Sequence, residues 1–407
     1  MIPHARRYAR PHQSLGIRVR LPARPLSIPP KPAPSPGPPS TQDSSFVPRR
    51  EFPYPSSLIT SYFLGHHRAG LEKMKQLVSS VELIIECRDY RVPLSSRNPM
   101  FEETLREKER LIVYTKRDLA AEELDLKTQE TIRKWHRPHQ VVFSDSKDRK
   151  DVQKIIDYAR GSSPSLPPGS LPCKGKGKMY EQKDTSCSTA ATADNMIGSR
   201  MLVVGMPNVG KSTLLNAMRR VGTGNTKKAA ITGGQPGVTR KISMAVKILD
   251  YPLVYLMDSP GVFVPYMPNP QTMLSLALVG CVKDSLLDAT TLADYLLFHL
   301  NLRDPSLYSG YSPPTNDIVE LLTATAKATG RLLKGGSPDF DATAYWLVQR
   351  YRAGVLGKFI LDDVSATAYQ AWLDAEEKQG ESRNAARKRM KEERRLAKIE
   401  KRGDAEI

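Results

Sequence analysis

The residues best placed to do chemistry lie in the run GMPNVGKST, Gly205 to Thr213, which fits the pattern G-x-x-x-x-G-K-[ST] and directly follows the apolar run MLVV, Met201 to Val204. In a loop of this kind successive backbone N–H groups converge on a concavity that holds phosphate oxygens, and the helix that follows adds the positive end of its dipole. Lys211 then meets the β- and γ-phosphates and Ser212 ligates Mg2+, with Asn208, Val209, Gly210 and Thr213 completing the cradle. Two further loops carry companion chemistry. PGVTR, Pro236 to Arg240, supplies Thr239 as a switch residue able to close over the γ-phosphate and Mg2+. DSPG, Asp258 to Gly261, ends the apolar run LVYLM as a D-x-x-G motif. There Asp258 holds the magnesium shell and the Gly261 N–H senses the γ-phosphate.

A phosphate loop does not choose a base. That choice needs a carboxylate able to accept from guanine N1–H and the exocyclic amine, which adenine does not offer. TKRD, Thr115 to Asp118, closes the apolar run LIVY and fits the task. Asp118 discriminates, Lys116 lies along the purine face, and Arg117 completes the loop. Thr115 stands where the usual N-K-x-D pattern has asparagine, so one bracing hydrogen bond is expected to be shorter or lost. FSDSK, Phe143 to Lys147, follows the next apolar run and brings Ser144 and Asp145 to the same pocket. The base loops precede the phosphate loops, the reverse of an ordinary small GTPase. Spatial proximity makes a pocket, so the site survives circular permutation if the usual termini are joined. The stretch from Gly161 to Ser199, rich in Pro, Gly, Ser and Thr, is placed to join them as a flexible insertion.

These loops must be carried by strands. Short apolar runs recur at VELIIE, LIVY, QVVF, MLVV, ISMAVKIL and LVYLM, several separated by amphipathic stretches such as DVQKIIDYA. That alternation predicts an α/β domain over 58–262, a six-stranded, mostly parallel sheet covered by helices. After Gly261 the pattern becomes helical, through LSLALVGCVKDSLLD, TTLADYLLFHL and AYWLVQRYRAGVLGKF, predicting a C-terminal all-α domain over 263–364. A basic helix or tail follows over 365–407; Arg383 to Arg402 holds ten basic and three acidic residues.

The formal net charge of +18 favours a polyanionic partner, because Lys and Arg release condensed counterions on neutralising phosphates. The four cysteines, Cys87, Cys173, Cys187 and Cys281, are scattered and lack metal-site or redox spacing. No window holds the ~18 uninterrupted apolar residues of a membrane span. Residues 1–50 read as a leader. Its first acid is Asp43, preceded by six arginines and one lysine, a pattern similar to a mitochondrial presequence.

Together FLGHHRAG, RDYRVPLSSRNP, TKRD, GMPNVGKST, PGVT, DSPGV, LALVGCVKD and the GKF segment at Lys358 resemble the circularly permuted ribosome-assembly GTPases. The likeness is strongest to the bacterial ribosome-biogenesis GTPase A group and its mitochondrial ribosome-associated counterpart, and it runs from about Ser61 to Val364. It implies a P-loop GTPase that binds GTP and GDP with Mg2+ and docks on a late large-subunit particle, rRNA lying against the helical domain. With the leader it implies a monomer in the mitochondrial matrix, with peripheral contact to the inner membrane as an option. Val262 follows DSPG where many GTPases place a water-orienting glutamine, so another group must position water. The resemblance assigns that to His66 of GHH; capping a helix or touching RNA are equally open to it. It also makes Asn208 a K+ ligand, against a purely loop-shaping asparagine. Rival readings are an RNA-binding scaffold with structural GTP, a membrane-associated mitochondrial GTPase acting on translation, and an ATPase.

Overall fold

The computed structural model describes residues 46–55, 72, 74–105, 108–120, 126–162, 198–230, 245–263 and 269–375. His66, Thr239, the leader up to residue 45, most of the 161–199 insertion and the tail beyond 375 lie outside the described residues.

Six strands form one sheet: β1 (Leu83–Asp89), β2 (Glu109–Thr115), β3 (Gln140–Phe143), β4 (Ser199–Gly205), β5 (Val246–Leu249) and β6 (Val254–Asp258). Their order is β3-β2-β1-β4-β6-β5, and every pairing is parallel except the antiparallel β5–β6 edge. The chain winds outward from β1 to β3, then returns to set β4 against β1. Crevices at such reversals, outside the carboxyl ends of parallel strands, are where α/β sheets bind ligands. Here the register aligns those ends: Asp89 pairs with Thr115, Cys87 with Gly205, and Val203 with Asp258.

The central strands are buried on both faces, as parallel sheets are. β1, LIIECRD, is buried at every position although it carries Glu86, Arg88 and Asp89. Charges in such a place must be paired. Arg88 meets Glu86 at 2.6 Å, and Arg110 of β2 approaches the same carboxylate at 3.4 Å.

Eight described helices complete the chain: α1 (Pro99–Thr104), α2 (Leu126–Trp135), α3 (Arg149–Gly161), α4 (Lys211–Thr223), α5 (Pro270–Leu278), α6 (Ala289–Arg303), α7 (Ile318–Thr329) and α8 (Phe340–Arg352). Their starts follow local rules. Asn98, Asp148, Asn269, Asp288, Asp317 and Asp339 each accept a bond from a first-turn backbone N–H. α6 is apolar on most faces because it is the central post of the helical part, burying Leu292, Leu296, Leu297 and Leu300.

The helical part shares its core with the sheet. One apolar cluster runs from Leu83, Val203 and Leu256 through Met273 and Leu276 to Tyr295, Leu347 and Phe359. Residues 46–55, of which 46–50 fall in the stretch read as leader, also belong to this body as a strap along α6. Phe52 packs edge-on to Tyr295, and Arg49 forks onto Asp294 at 2.5 and 3.2 Å. Asn316 accepts from the Arg49 N–H and donates to the Val47 carbonyl. Truncating Phe52 to Ala should therefore cost about 3 kcal/mol, read as a lower denaturant midpoint with an unchanged slope. A loss under about 0.5 kcal/mol, the range of ordinary surface substitutions, would mean the strap carries no stability.

Candidate nucleotide site

The phosphate loop begins where β4 passes closest to β1. Gly205 sits at φ 147, and a Cβ there would lie 2.3 Å from the Cys87 carbonyl oxygen, so only glycine fits. Asn208 takes a left-handed turn at φ 56, and Gly210, at φ 95, opens α4. Lys211 is buried in the first turn of α4 and donates to the Met206 carbonyl at 2.7 Å and the Gly205 carbonyl at 3.3 Å. Burial lowers its pKa, and the neighbouring Asp258 carboxylate acts in the opposite direction. Burial raises the pKa of Asp258, against the pull of Lys211 and of Ser212. Ser212 Oγ donates to Asp258 Oδ2 at 2.5 Å. A hydroxyl and a carboxylate in contact, both hard oxygen donors, are a set that suits Mg2+.

The D-x-x-G segment is packed onto the phosphate loop. A Cβ on Gly261 would stand 2.5 Å from the Cα of Pro207. The Val262 N–H donates to the Gly205 carbonyl at 3.2 Å. On its other side the Val262 carbonyl accepts from Asn98 Nδ2 at 2.9 Å, while Asn98 Oδ1 caps α1 at Met100. Asn98 thus fixes the D-x-x-G exit, a role not read from the sequence. The trace it left was Asn-Pro, an N-cap followed by proline at N1.

The base loop reaches the phosphate loop from β2. Thr115 Oγ1 lies within hydrogen-bonding distance of the Val209 carbonyl and, at 3.0 Å, of the Arg88 carbonyl. A hydroxyl has one hydrogen, so it donates to one of these at a time. The threonine therefore stands within bonding reach of the phosphate loop from the position where N-K-x-D carries asparagine. Lys116, left-handed at φ 57, donates to the Asn208 carbonyl at 2.7 Å and pairs with Asp89 at 2.9 Å. Asp118 faces outward and meets Lys147 of FSDSK at 3.0 Å, a contact that raises the Lys147 pKa. Ser144 is buried; its N–H donates to the Tyr114 carbonyl at 2.8 Å. Asp145 Oδ1 accepts from the Lys147 N–H at 2.9 Å. The Arg117 guanidinium is fixed to Asp151 of α3 at 2.7 Å.

The structure thus brings Thr115 and Lys116 to Asn208 and Val209, Ser212 to Asp258, and Gly261 to Pro207. Two residues at the centre, Asp89 and Arg91, were not predicted. Arg91 grips Asp89 through Nε and Nη2 at 3.0 and 2.8 Å. The legible signal was the charged run RDYR at the end of an apolar strand. Burial alone would raise the Asp89 pKa, but Arg91 and Lys116 hold it well below the ordinary carboxylate range.

Two outcomes follow from this geometry. A folded-state pKa below the unfolded value of ~3.9 means that Asp89 stabilises the fold fully above that value, and the contribution fades as pH falls further. Unfolding free energy measured from pH 6 to pH 2.5 should drop more steeply in the native protein than in Asp89→Asn; parallel curves would refute the pairing. Gly261→Ala forces its Cβ against backbone, so nucleotide affinity should fall at least about tenfold, a change of ~1.4 kcal/mol. Wild-type binding by that variant would show that the two loops need not touch.

A family model described as 50S ribosome-binding GTPase matches residues 200–329. Over 323 residues the chain is 37% identical to Mitochondrial GTPase 1 of Schizosaccharomyces pombe, covering 79% of this chain and 94% of that protein. It is 33% identical over 332 residues to Mitochondrial ribosome-associated GTPase 1 of Bos taurus, covering 77% and 92%. The crystal structure of GNP-bound YlqF from T. maritima covers 72% of this chain and 97% of its own, at 19% identity and a TM-score of 0.46.

Proposed function

Because this chain belongs to the family of mitochondrial GTPase 1 and mitochondrial ribosome-associated GTPase 1 and is a GTPase, we propose that it holds GTP in the loops at the carboxyl edge of its sheet and couples hydrolysis to assembly of the mitochondrial large ribosomal subunit. The observation that carries the reading is the bonding of loops far apart in the chain: Thr115 to Val209, Lys116 to Asn208, Ser212 to Asp258.

In this reading Lys211 exchanges the carbonyls of Met206 and Gly205 for phosphate oxygens, with the N–H groups of Val209 to Thr213 around them. Ser212 and Asp258 hold Mg2+, joined by Thr239; when bound, the ion neutralises charge developing on the phosphates. Gly261 answers to the γ-phosphate through its close approach to Pro207. Asp118 turns from Lys147 to guanine, with Ser144 and Asp145 beside the base and Arg117 keeping the loop on α3. Asn208 is the candidate for K+, through the oxygen of an amide whose nitrogen is bonded to the Gly280 carbonyl. With Val262 in the position after DSPG, water must be oriented by another group, and His66 is the candidate.

The ribosomal part rests on the names borne by the relatives and on the +18 charge. Residues 263–364 form the element that meets rRNA in this proposal, and the basic stretch 365–407 adds a second electrostatic arm. The Arg-rich leader directs the chain to the matrix. Among the described residues no helix is long and apolar enough to cross a membrane; in this reading contact with the inner membrane is peripheral. The working species is a monomer on the particle.

GTP turnover with and without mitochondrial large subunits, in potassium and in sodium, tests this. Turnover should rise on the particle and in potassium, and Lys211→Ala should lose about 100-fold or more, in the range seen when a charge-stabilising group is removed. His66→Ala should lose the stimulated rate and keep GTP affinity. Turnover indifferent to the particle would reject the ribosomal coupling and leave the GTPase. A reporter fused to residues 1–50 that stayed in the cytosol would reject the targeting role.

A further inference from the structure

The groups that join the nucleotide loops also hold the turn that follows α5. Gly280 lies there at φ 85, where an added Cβ would fall 3.1 Å from Asn208 Nδ2 and 3.3 Å from the Arg352 guanidinium. Asn208 Nδ2 donates to the Gly280 carbonyl at 3.0 Å. Arg91 donates through Nη2 to the Val279 carbonyl at 3.2 Å, with the Tyr351 ring 6.0 Å from its guanidinium carbon. The same guanidinium grips Asp89, whose Oδ2 faces the Lys116 ammonium at 2.9 Å. From the opposite side Arg352 of α8 donates to the Leu278 and Ala277 carbonyls at 2.9 and 2.7 Å and pairs with Asp284 at 2.7 Å.

Asp89 and Arg91 are 0% and 1% exposed. Charges that deep have no water to replace a lost partner, so each contact is held stiffly and its loss costs several times what a surface contact would. If the turn shifts, the Arg91 donor to Val279 is left without an acceptor, and the Asp89 carboxylate moves with Arg91. Lys116 then loses its fixed counter-charge while it still spans to the Asn208 carbonyl. Asn208 is pulled at the same time through Gly280. Two separate links therefore carry the position of one turn into the base loop and the phosphate loop.

We propose that Asp89 and Arg91 are positioning residues for the nucleotide loops, and that through them and Asn208 the affinity for guanine nucleotide depends on how residues 277–284 are seated. This rests on the reading that these loops hold the nucleotide. Coupling between sites is reciprocal, so bound nucleotide fixes the turn as firmly as the turn favours the nucleotide. A partner that pulled on α8 or the turn would thereby promote nucleotide release without touching the pocket.

The test is titration of the full chain with a fluorescent GDP, at a temperature well below the unfolding transition of each protein. Arg352→Ala removes the far anchor and Arg91→Lys keeps the charge while losing the fork. Both should raise Kd by about five- to tenfold, within the usual range of coupling between sites. Asp89→Asn should raise it further; if that variant does not fold, the other two decide. Asp294→Asn, which breaks only the Arg49 pair on α6, should bind as wild type. In wild type, GDP should slow hydrogen exchange at the Gly280 and Cys281 amides, which donate to Ala277 and Leu276. Folded Arg352→Ala and Arg91→Lys with wild-type Kd, whatever their melting temperatures, would overturn the proposal. So would unchanged exchange at the turn. A different failure, no GDP binding by wild type or full binding by Lys211→Ala, would strike the placement of the nucleotide itself.

Discussion

The Lys116 ammonium, 2.7 Å from the Asn208 carbonyl and 2.9 Å from Asp89, is the contact on which the site depends. It ties the end of β2 to the phosphate loop after β4 and to the end of β1, three points that the sheet register already brings level. A positive charge placed there is tolerable only because a carboxylate and a carbonyl meet it. Asp89 in turn is tolerable only because Arg91 forks onto it. The pocket is a chain of mutual requirements, and this explains why permuted order does no harm. None of these contacts follows the direction of the chain. Strands β1 to β3 deliver Asp89, TKRD and FSDSK, β4 to β6 deliver GMPNVGKST and DSPG, and the parallel pairing of β1 with β4 joins the halves.

The second constraint is the shared core. Because Met273, Leu276 and Tyr295 lie in one cluster with Val203 and Leu256, the helices after DSPG cannot drift from the sheet without exposing apolar surface. The turn of residues 277–284 belongs to the same cluster through Leu278, Val279, Cys281 and Val282, and its polar contacts to Arg91, Asn208 and Arg352 add direction to that packing. A packed core resists continuous deformation, so a change in the seating of this turn is passed on to the groups bonded to it.

Local patterns disclosed much of this in advance. The apolar runs marked all six strands, and G-x-x-x-x-G-K-S and D-x-x-G marked the two loops that pack together at Pro207 and Gly261. Each is a short-range signal whose physics acts within a few residues. Partner choice over long range was hidden. Nothing local says that Arg91 reaches Val279 or that Asn98 holds Val262. Thr115 shows the limit well: its departure from asparagine was visible, but whether the shorter side chain still bridged depended on how closely β2 approaches Val209. The strap at Phe52 was obscured by its proline-rich, basic neighbourhood, which resembles leader until the groove between Tyr295 and Phe298 is known.

The claim underlying everything else is that guanine sits against Asp118 while its phosphates lie on Gly205 to Thr213. Competition of GTP, ATP and XTP against labelled GDP, on wild type and on Asp118→Asn, addresses it most directly. Wild type should prefer GTP over ATP by at least about 100-fold, since adenine offers the Asp118 carboxylate neither of the donors that guanine does. The asparagine variant should exchange guanine for xanthine, whose second carbonyl matches an amide donor. Equal binding of ATP and GTP by wild type, or an Asp118→Asn variant that keeps its guanine preference, would contradict it.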